Sequence, residues 1–279
     1  MKNLMRSALL LLLAAGAANA QFEGVAEMKI STTGAHGEVM MNGTGKTYVS
    51  KVGWRSEMEM ASPDTAKMTG GKPFRMVMLG KLANPDVVYS VNDAMKTYAV
   101  INTKEMKELA GKIEKQEKKF TVTKLGKDSV AGLSCENVRV TEDKGGQNIE
   151  ACISREFMSG EWMRALQRDS RGGDWMKALR DNGVEGYPVR LTMTMKDQPG
   201  MKTAMEIVKV DRHSVPASMF TVPAGYKETS MMGNFAQTPE QAKQMEDAQK
   251  QLQKAMENMT PEQRKMIEEM MKKQAPKGQ

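Results

Sequence analysis

The chain has 279 residues, with 41 Lys and Arg against 34 Asp and Glu, and aromatic side chains make up only 5% of it. Two Cys and two His exclude a cystine-dense mini-domain and a histidine-rich metal store, and the charge balance excludes a disordered acidic protein. At 40% apolar the chain can bury a sizeable core, to which 28 Met contribute an unusual share.

Residues 1–20 have the three parts of a secretory signal: basic Lys2 and Arg6, an apolar stretch from Leu9 to Ala15, and the small-residue cleavage site Ala18-Asn19-Ala20. The mature chain is expected to open at Gln21. Because that residue is not Cys, a lipid anchor has no attachment point. No later segment is long and apolar enough to span a bilayer, so a periplasmic or secreted protein is expected. Without the signal, 39 basic residues face 34 acidic ones, a mild excess of +5. The Lys-rich stretch 104–119 also holds Glu105, Glu108, Glu114 and Glu117, which reads as a solvated helix face and not a nucleic-acid surface.

From Gln21 to about Lys227 the dominant period is two. Ala26, Met28 and Ile30 alternate with Glu27 and Lys29. Tyr48, Val52, Trp54, Met58 and Met60 are read on one face, with Lys51, Arg55, Glu57 and Glu59 on the other, and Tyr187, Val189, Leu191, Met193 and Met195 alternate with Arg190, Thr192, Thr194 and Lys196. One dry and one wet face belong to an antiparallel sheet. Further strands are expected over 39–41, 74–79, 87–91, 97–101, 120–125, 130–140, 148–154 and 204–210, with turns at Asn92-Asp93 and Lys144-Gly145-Gly146. About ten strands would then make an up-and-down sheet. Two helices, over 103–118 and over 158–180 with Trp162, Leu166, Trp175 and Leu179, are expected to cover its mouth.

The character changes after Tyr226. Thr238-Pro239-Glu240-Gln241 recurs as Thr260-Pro261-Glu262-Gln263, each a capping Thr followed by Pro at the first helical position. Two helices are expected, over 239–259 and 261–273, as a Met-rich tail from Met231 to Gln279 appended to a domain of residues 21–230.

Cys135 and Cys152 flank the Asp143–Gly146 turn on neighbouring strands. In an exported chain they predict a structural disulfide, with both thiols on the face away from the core and a bulge needed to bring them opposite. The pairs Met58/Met60, Met76/Met78 and Met193/Met195 each place two sulfurs on one apolar strand face. Clustered thioethers suit Cu(I). Flexible core filler is the simpler reading, and a pliable lining for apolar ligands is a third. Gly45-Lys46-Thr47 fails as a phosphate loop because Met40 stands at the earlier Gly position, and neither His36 nor His213 has a local nucleophile motif. No catalytic residue, cofactor or metal is assigned.

Several landmarks follow in order: Phe22-Glu23-Gly24, Trp54-Arg55-Ser56-Glu57-Met58, Val87-Val88-Tyr89, Lys96-Thr97-Tyr98, Val130-Ala131-Gly132-Leu133-Ser134-Cys135, Gly186-Tyr187-Pro188-Val189, and the closing Ala217-Ser218-Met219-Phe220-Thr221-Val222-Pro223-Ala224-Gly225-Tyr226. This series resembles an exported bacterial family of unknown function, numbered 4412, and more distantly the LolA- and LolB-like lipoprotein-localisation carriers. The resemblance implies a β-rich α+β fold, an unclosed antiparallel barrel with helices at its mouth, and a concave apolar surface. For the distant carriers it implies acyl-chain binding. It brings no assigned activity and no catalytic residues.

The expected function is therefore non-enzymatic binding of a lipid or lipoprotein on the apolar face formed by Tyr48, Trp54, Met58, Met60, Met76, Met78, Leu191, Met193 and Met195. The alternatives are a protein-interaction module using the tail helices and a Cu(I)-binding protein.

Overall fold

The computed structural model describes residues 22–63, 65–66, 71–103, 118–143, 145–157 and 173–234, with isolated tail positions 240, 243, 247, 250 and 251. The expected signal peptide, most of the two helices expected over 103–118 and 158–180, most of the tail helix expected over 239–259 and all of that over 261–273 lie outside the described residues.

Among the described residues twelve strands form one sheet: β1 (Gly24–Thr33), β2 (Val39–Val49), β3 (Gly53–Ala61), β4 (Phe74–Lys81), β5 (Asn84–Asn92), β6 (Thr97–Asn102), β7 (Phe120–Val130), β8 (Leu133–Glu142), β9 (Gln147–Ser154), β10 (Tyr187–Met195), β11 (Lys202–Arg212) and β12 (Lys227–Glu228). Their order is β12-β6-β5-β4-β3-β2-β1-β11-β10-β9-β8-β7. Strands β1 to β11 pair antiparallel with their neighbours, mostly as hairpins, as the alternation predicts, and only the short β12 pairs parallel, with β6. The sheet is nevertheless not one up-and-down series. Two meanders, β1 to β6 and β7 to β11, are joined where the first strand pairs with the eleventh. The break in the sheet therefore falls between β6 and β7, in the middle of the sequence, and the sheet is not closed.

Two turns differ from the sequence expectation. The strands expected over 120–125 and 130–140 leave 126–129 between them, yet β7 runs through that gap with a bulge between Lys124 and Gly126, where Gly126 has φ 115°. A glycine within a strand serves a bulge as readily as it ends the strand. The chain reverses instead at Ala131 (φ 49°) and Gly132 (φ 80°), between the paired Val130 and Leu133. Two central residues with positive φ match the twist of a tight hairpin. Likewise, the run from Tyr48 to Met60 is interrupted by the turn between β2 and β3, which leaves Val52 50% exposed.

The sheet curls enough for β7 to touch β11 across β8, β9 and β10. Its inner face carries Ala26, Val49, Val138, Val140, Ile149 and Ile207, none of which is exposed. The helix α1 (Gly173–Asp181) packs against β7 and adds Trp175, Met176 and Leu179 to the same buried cluster. On the outer face a second, smaller cluster joins Val77, Leu79 and Val91 to Tyr89, Tyr98, Val222 and Tyr226. The closing segment covers it. Phe220, in the short 3-10 turn Ala217–Phe220, is 1% exposed and lies where a side chain on Gly53 would sit, 2.7 Å from that position. The Tyr226 hydroxyl then donates to Asp93 Oδ1 at 3.0 Å. Beyond it, β12 runs parallel to β6, and α2 (Met231–Asn234) contacts β5 and β6.

Candidate functional site

Pairing fixes which residues share the inner face. In one row Met28 of β1 lies opposite Gly45, Gly45 opposite Met58, and Met58 opposite Met76. In the next, Leu191, Met205, Ile30, Gly43, Met60 and Phe74 follow one another across six strands. Met193 lies opposite Thr203 and Ile149, and Met78 opposite Ser56. Trp54, Met58, Met60, Met76, Met78, Leu191, Met193 and Met195 are thus brought to one face, although β3 and β10 are far apart in the chain. Of these, Trp54 is buried, while the six Met and Leu191 are only half-buried.

Tyr48 does not join them. It pairs with Arg55, whereas Val49 pairs with Trp54, so Tyr48 is on the outer face with Arg55 and Lys46. The turn between β2 and β3 reverses the direction of the chain, and a parity count carried through it from Tyr48 to Trp54 assigns the wrong side. Met28 and Met205 belong to the face and were not among the residues assigned to it from sequence. Each sits at the right parity on its own strand, but only pairing shows which strands neighbour β3 and β10.

Two glycines of β2 give this face its relief. Gly43 and Gly45 lie between Ile30 and Met28 on one side and Met60 and Met58 on the other, leaving a trench floored by backbone. Met28 folds into it, since a Cβ on Gly45 would lie 2.9 Å from Met28 Cγ, whereas one on Gly43 would first meet the Glu59 backbone oxygen at 2.6 Å and then Met60 Cγ at 3.3 Å. A thioether chain with three rotatable bonds can leave such a trench at small cost. The Gln147 amide, at the β9 margin, donates to Met193 Sδ at 2.9 Å, which orients that sulfur. A depression of about 430 Å³ is lined by the outward residues Lys29, Ser31, Asn42, Thr44 and Glu59, with Ala61 and Pro73, and also by Ile30 and Gly43 of the inner-face row, so it adjoins the methionine surface at that row.

The cysteines form the expected bond, Cys135 to Cys152, with 5.4 Å between Cα atoms. Their setting differs from the expectation in two ways. They are 6% and 0% exposed and belong to the main buried cluster, and so do not face solvent. Asn137, not Cys135, is opposite Cys152 in a regular ladder, so the bond crosses diagonally and no bulge is present between these strands. Nearby, Arg190 of β10 donates to Asp128 Oδ2 of β7 at 2.6 Å and to Asn137 Oδ1 of β8 at 3.1 Å. The Arg190 hydrogen bond, with others from the Ser129 backbone and Asn137, holds the Asp128 carboxyl down to about 2. Elsewhere on the outer face, burial alone would raise the Glu57 carboxyl. The hydrogen bonds and charges of Arg55 and Arg75 outweigh it, so the group titrates below its ordinary value.

His36 lies in the β1–β2 turn and His213 beyond the other end of β11, where it faces Asp211 at 3.5 Å. Among the described residues no three His, Cys, Asp or Glu are grouped as metal ligands would be, and no helix is long and apolar enough to cross a membrane.

No curated protein matches the chain. Among solved structures it is similar to MucB (8% identity, TM-score 0.34, covering 74% of this chain), and it spans about 60% of MucB's length. It is similar also to a LolA superfamily protein from Nitrosomonas europaea (11% identity, TM-score 0.31, covering 72% of this chain and 91% of that one). A third is a DUF1329 family protein from Desulfovibrio piger (13% identity, TM-score 0.31, covering 73% and 91%). A family model matches residues 22–226, which span the sheet from Phe22 to the Tyr226 that covers its outer cluster, and the chain belongs to that family, the domain of unknown function DUF4412.

Proposed function

We propose that this chain is an exported, non-enzymatic envelope protein that binds an apolar or lipid-modified ligand on the inner face of its sheet. The observation that carries the reading is the glycine-floored trench of Gly43 and Gly45, walled by Ile30, Met28, Met58 and Met60 and continued by Met76, Met193 and Met205. Half-buried thioethers on a backbone floor suit a chain-like apolar guest, because they repack around different shapes. The signal-like residues 1–20 and the buried cystine support an oxidising, extracytoplasmic setting.

The test is direct. The full-length protein, purified from the envelope in which it is made, should release an amphiphile on lipid extraction, identified by mass spectrometry. The emptied protein should bind the apolar dye N-phenylnaphthylamine in competition with a long-chain fatty acid. The absence of both a co-purifying amphiphile and displaceable dye binding would end the proposal.

A further inference from the structure

After β11 the chain changes sides of the sheet. Phe220, Val222 and Tyr226 lie on the outer face, β12 follows the β6 edge, and Asn234 is on the inner face, 4% exposed. There its side-chain Nδ2 donates to the Ser90 carbonyl at 2.9 Å and to Ser90 Oγ at 3.0 Å, and Thr97 Oγ1 donates to its Oδ1 at 2.9 Å. Asn92 Nδ2 donates to the Asn234 carbonyl at 2.9 Å. These partners border the methionine surface: Ser90 lies opposite Met78, and Asn92 is one position past the Val77–Val91 pair, in the row of Met76, Met58, Gly45 and Met28. The outer cluster is already covered by Val222 and Tyr226, so the turn inward serves the residues that follow.

We infer that those residues, the Met-rich tail 235–279, are the intramolecular occupant of the methionine-lined face, and that an apolar ligand must displace them. The inference rests on the reading of that face as a ligand surface. Reach permits it. From β5 to Leu191 on β10 is six strand spacings, about 29 Å, and a helix over Pro239–Met259 would extend about 31 Å. Shape permits it as well. Met245, Leu252 and Met259 recur every seven residues, with Ala248 and Ala255 between them, a stripe narrow enough for a trench. The described tail positions Glu240, Lys243, Asp247, Lys250 and Gln251 are all exposed; on a helix Lys243, Asp247 and Lys250 would lie on the side away from that stripe, with Glu240 and Gln251 at its flank.

Limited oxidation by hydrogen peroxide, read residue by residue by mass spectrometry, tests the inference in the full chain. Acidifying the stripe (Met245→Glu, Leu252→Glu and Met259→Glu together) should make Met58, Met60 and Met76 oxidise about fivefold faster. Met28, 6% exposed beneath them, should stay slow and so report an intact fold. In the unaltered chain carrying photo-methionine, tail peptides should cross-link to β3 and β4. Equal oxidation rates, or no such cross-links, overturn the inference. Protection that disappears on dilution also overturns it, because a second copy would then be the occupant. Dye binding separates the two readings. If the tail is the occupant of a ligand face, N-phenylnaphthylamine should bind the acidified variant about tenfold more tightly. Faster oxidation without dye binding in either chain would leave the tail in place and remove the ligand face. Dye binding with unchanged oxidation would do the reverse.

Discussion

The inner face solves the same problem in two ways. Toward one end Trp54 lies over Gly80, where an added Cβ would be 2.6 Å from the indole nitrogen, and Trp54 is only 8% exposed. Toward the other, Met28 and Met60 lie over Gly45 and Gly43. In both places a glycine in one strand accepts a large side chain from its neighbour, which keeps the sheet surface filled. The difference is stiffness. An indole has two torsions and a fixed outline, so it locks its end of the face with Val49, Val88 and Ile101, whereas a thioether chain has several nearly equal conformers. The rigid end can only be core. On the proposed function, the half-buried Met side chains of the pliable end exchange for a guest.

Four changes would break or sharpen this contrast. The largest effect should come from the cystine, which ties β8 to β9 in the buried part of the sheet. Cys135→Ser with Cys152→Ser should cost about 2–5 kcal/mol of stability in denaturant titration, without altering dye affinity in the protein that remains folded. Next is truncation at matched chemistry. Ile149→Ala, at a position with no exposure, should cost about 2–5 kcal/mol. Met58→Ala, half-buried, should cost about 1 kcal/mol and instead weaken dye binding. Equal costs for the two would erase the distinction between core and guest surface. Third, Gly80→Ala should destabilise by about 1–3 kcal/mol because the indole cannot move aside. Gly45→Ala should cost less, because Met28 can swing away, but it should narrow the trench and slow ligand exchange measured by stopped-flow fluorescence.

The smallest effect is one of pH. Asp128 titrates near 2 in the folded chain against an ordinary 3.8. A depressed carboxyl pKa stabilises the folded state above the ordinary value, and that contribution is lost as pH falls from 3.8 toward 2. Asp128→Asn should therefore flatten the acid limb of the stability curve in that window, measured by thermal unfolding at a series of pH values. A limb of unchanged slope would show that the contact from Arg190 is too exposed to matter.

Most of the strands were legible because period-two alternation is a local property. The runs over 74–79, 97–101, 148–154 and 187–195 each match a strand to within a few residues. Boundaries failed where one residue type serves two purposes. Gly126 supports a bulge and not a turn, and Ala131 turns the chain although its side chain disfavours positive φ. The site was partly legible for the same reason. Met58/Met60, Met76/Met78 and Met193/Met195 each announce one apolar face, but the error at Tyr48 shows that parity does not survive a turn.

Composition and periodicity alone determined that this is an antiparallel sheet rich in Met, with a cystine between Cys135 and Cys152. These follow from residue type and short-range order. Only the tertiary structure decided that β1 pairs with β11, that the cystine lies in the core, and that Met28 and Met205 complete the face. It alone also decided that the closing segment rounds the β6 edge to place Asn234 against Ser90 and Thr97. Each of these depends on which strands are neighbours. Alternation along a strand fixes two faces, but pairing between residues some 180 positions apart in the chain fixes which faces meet.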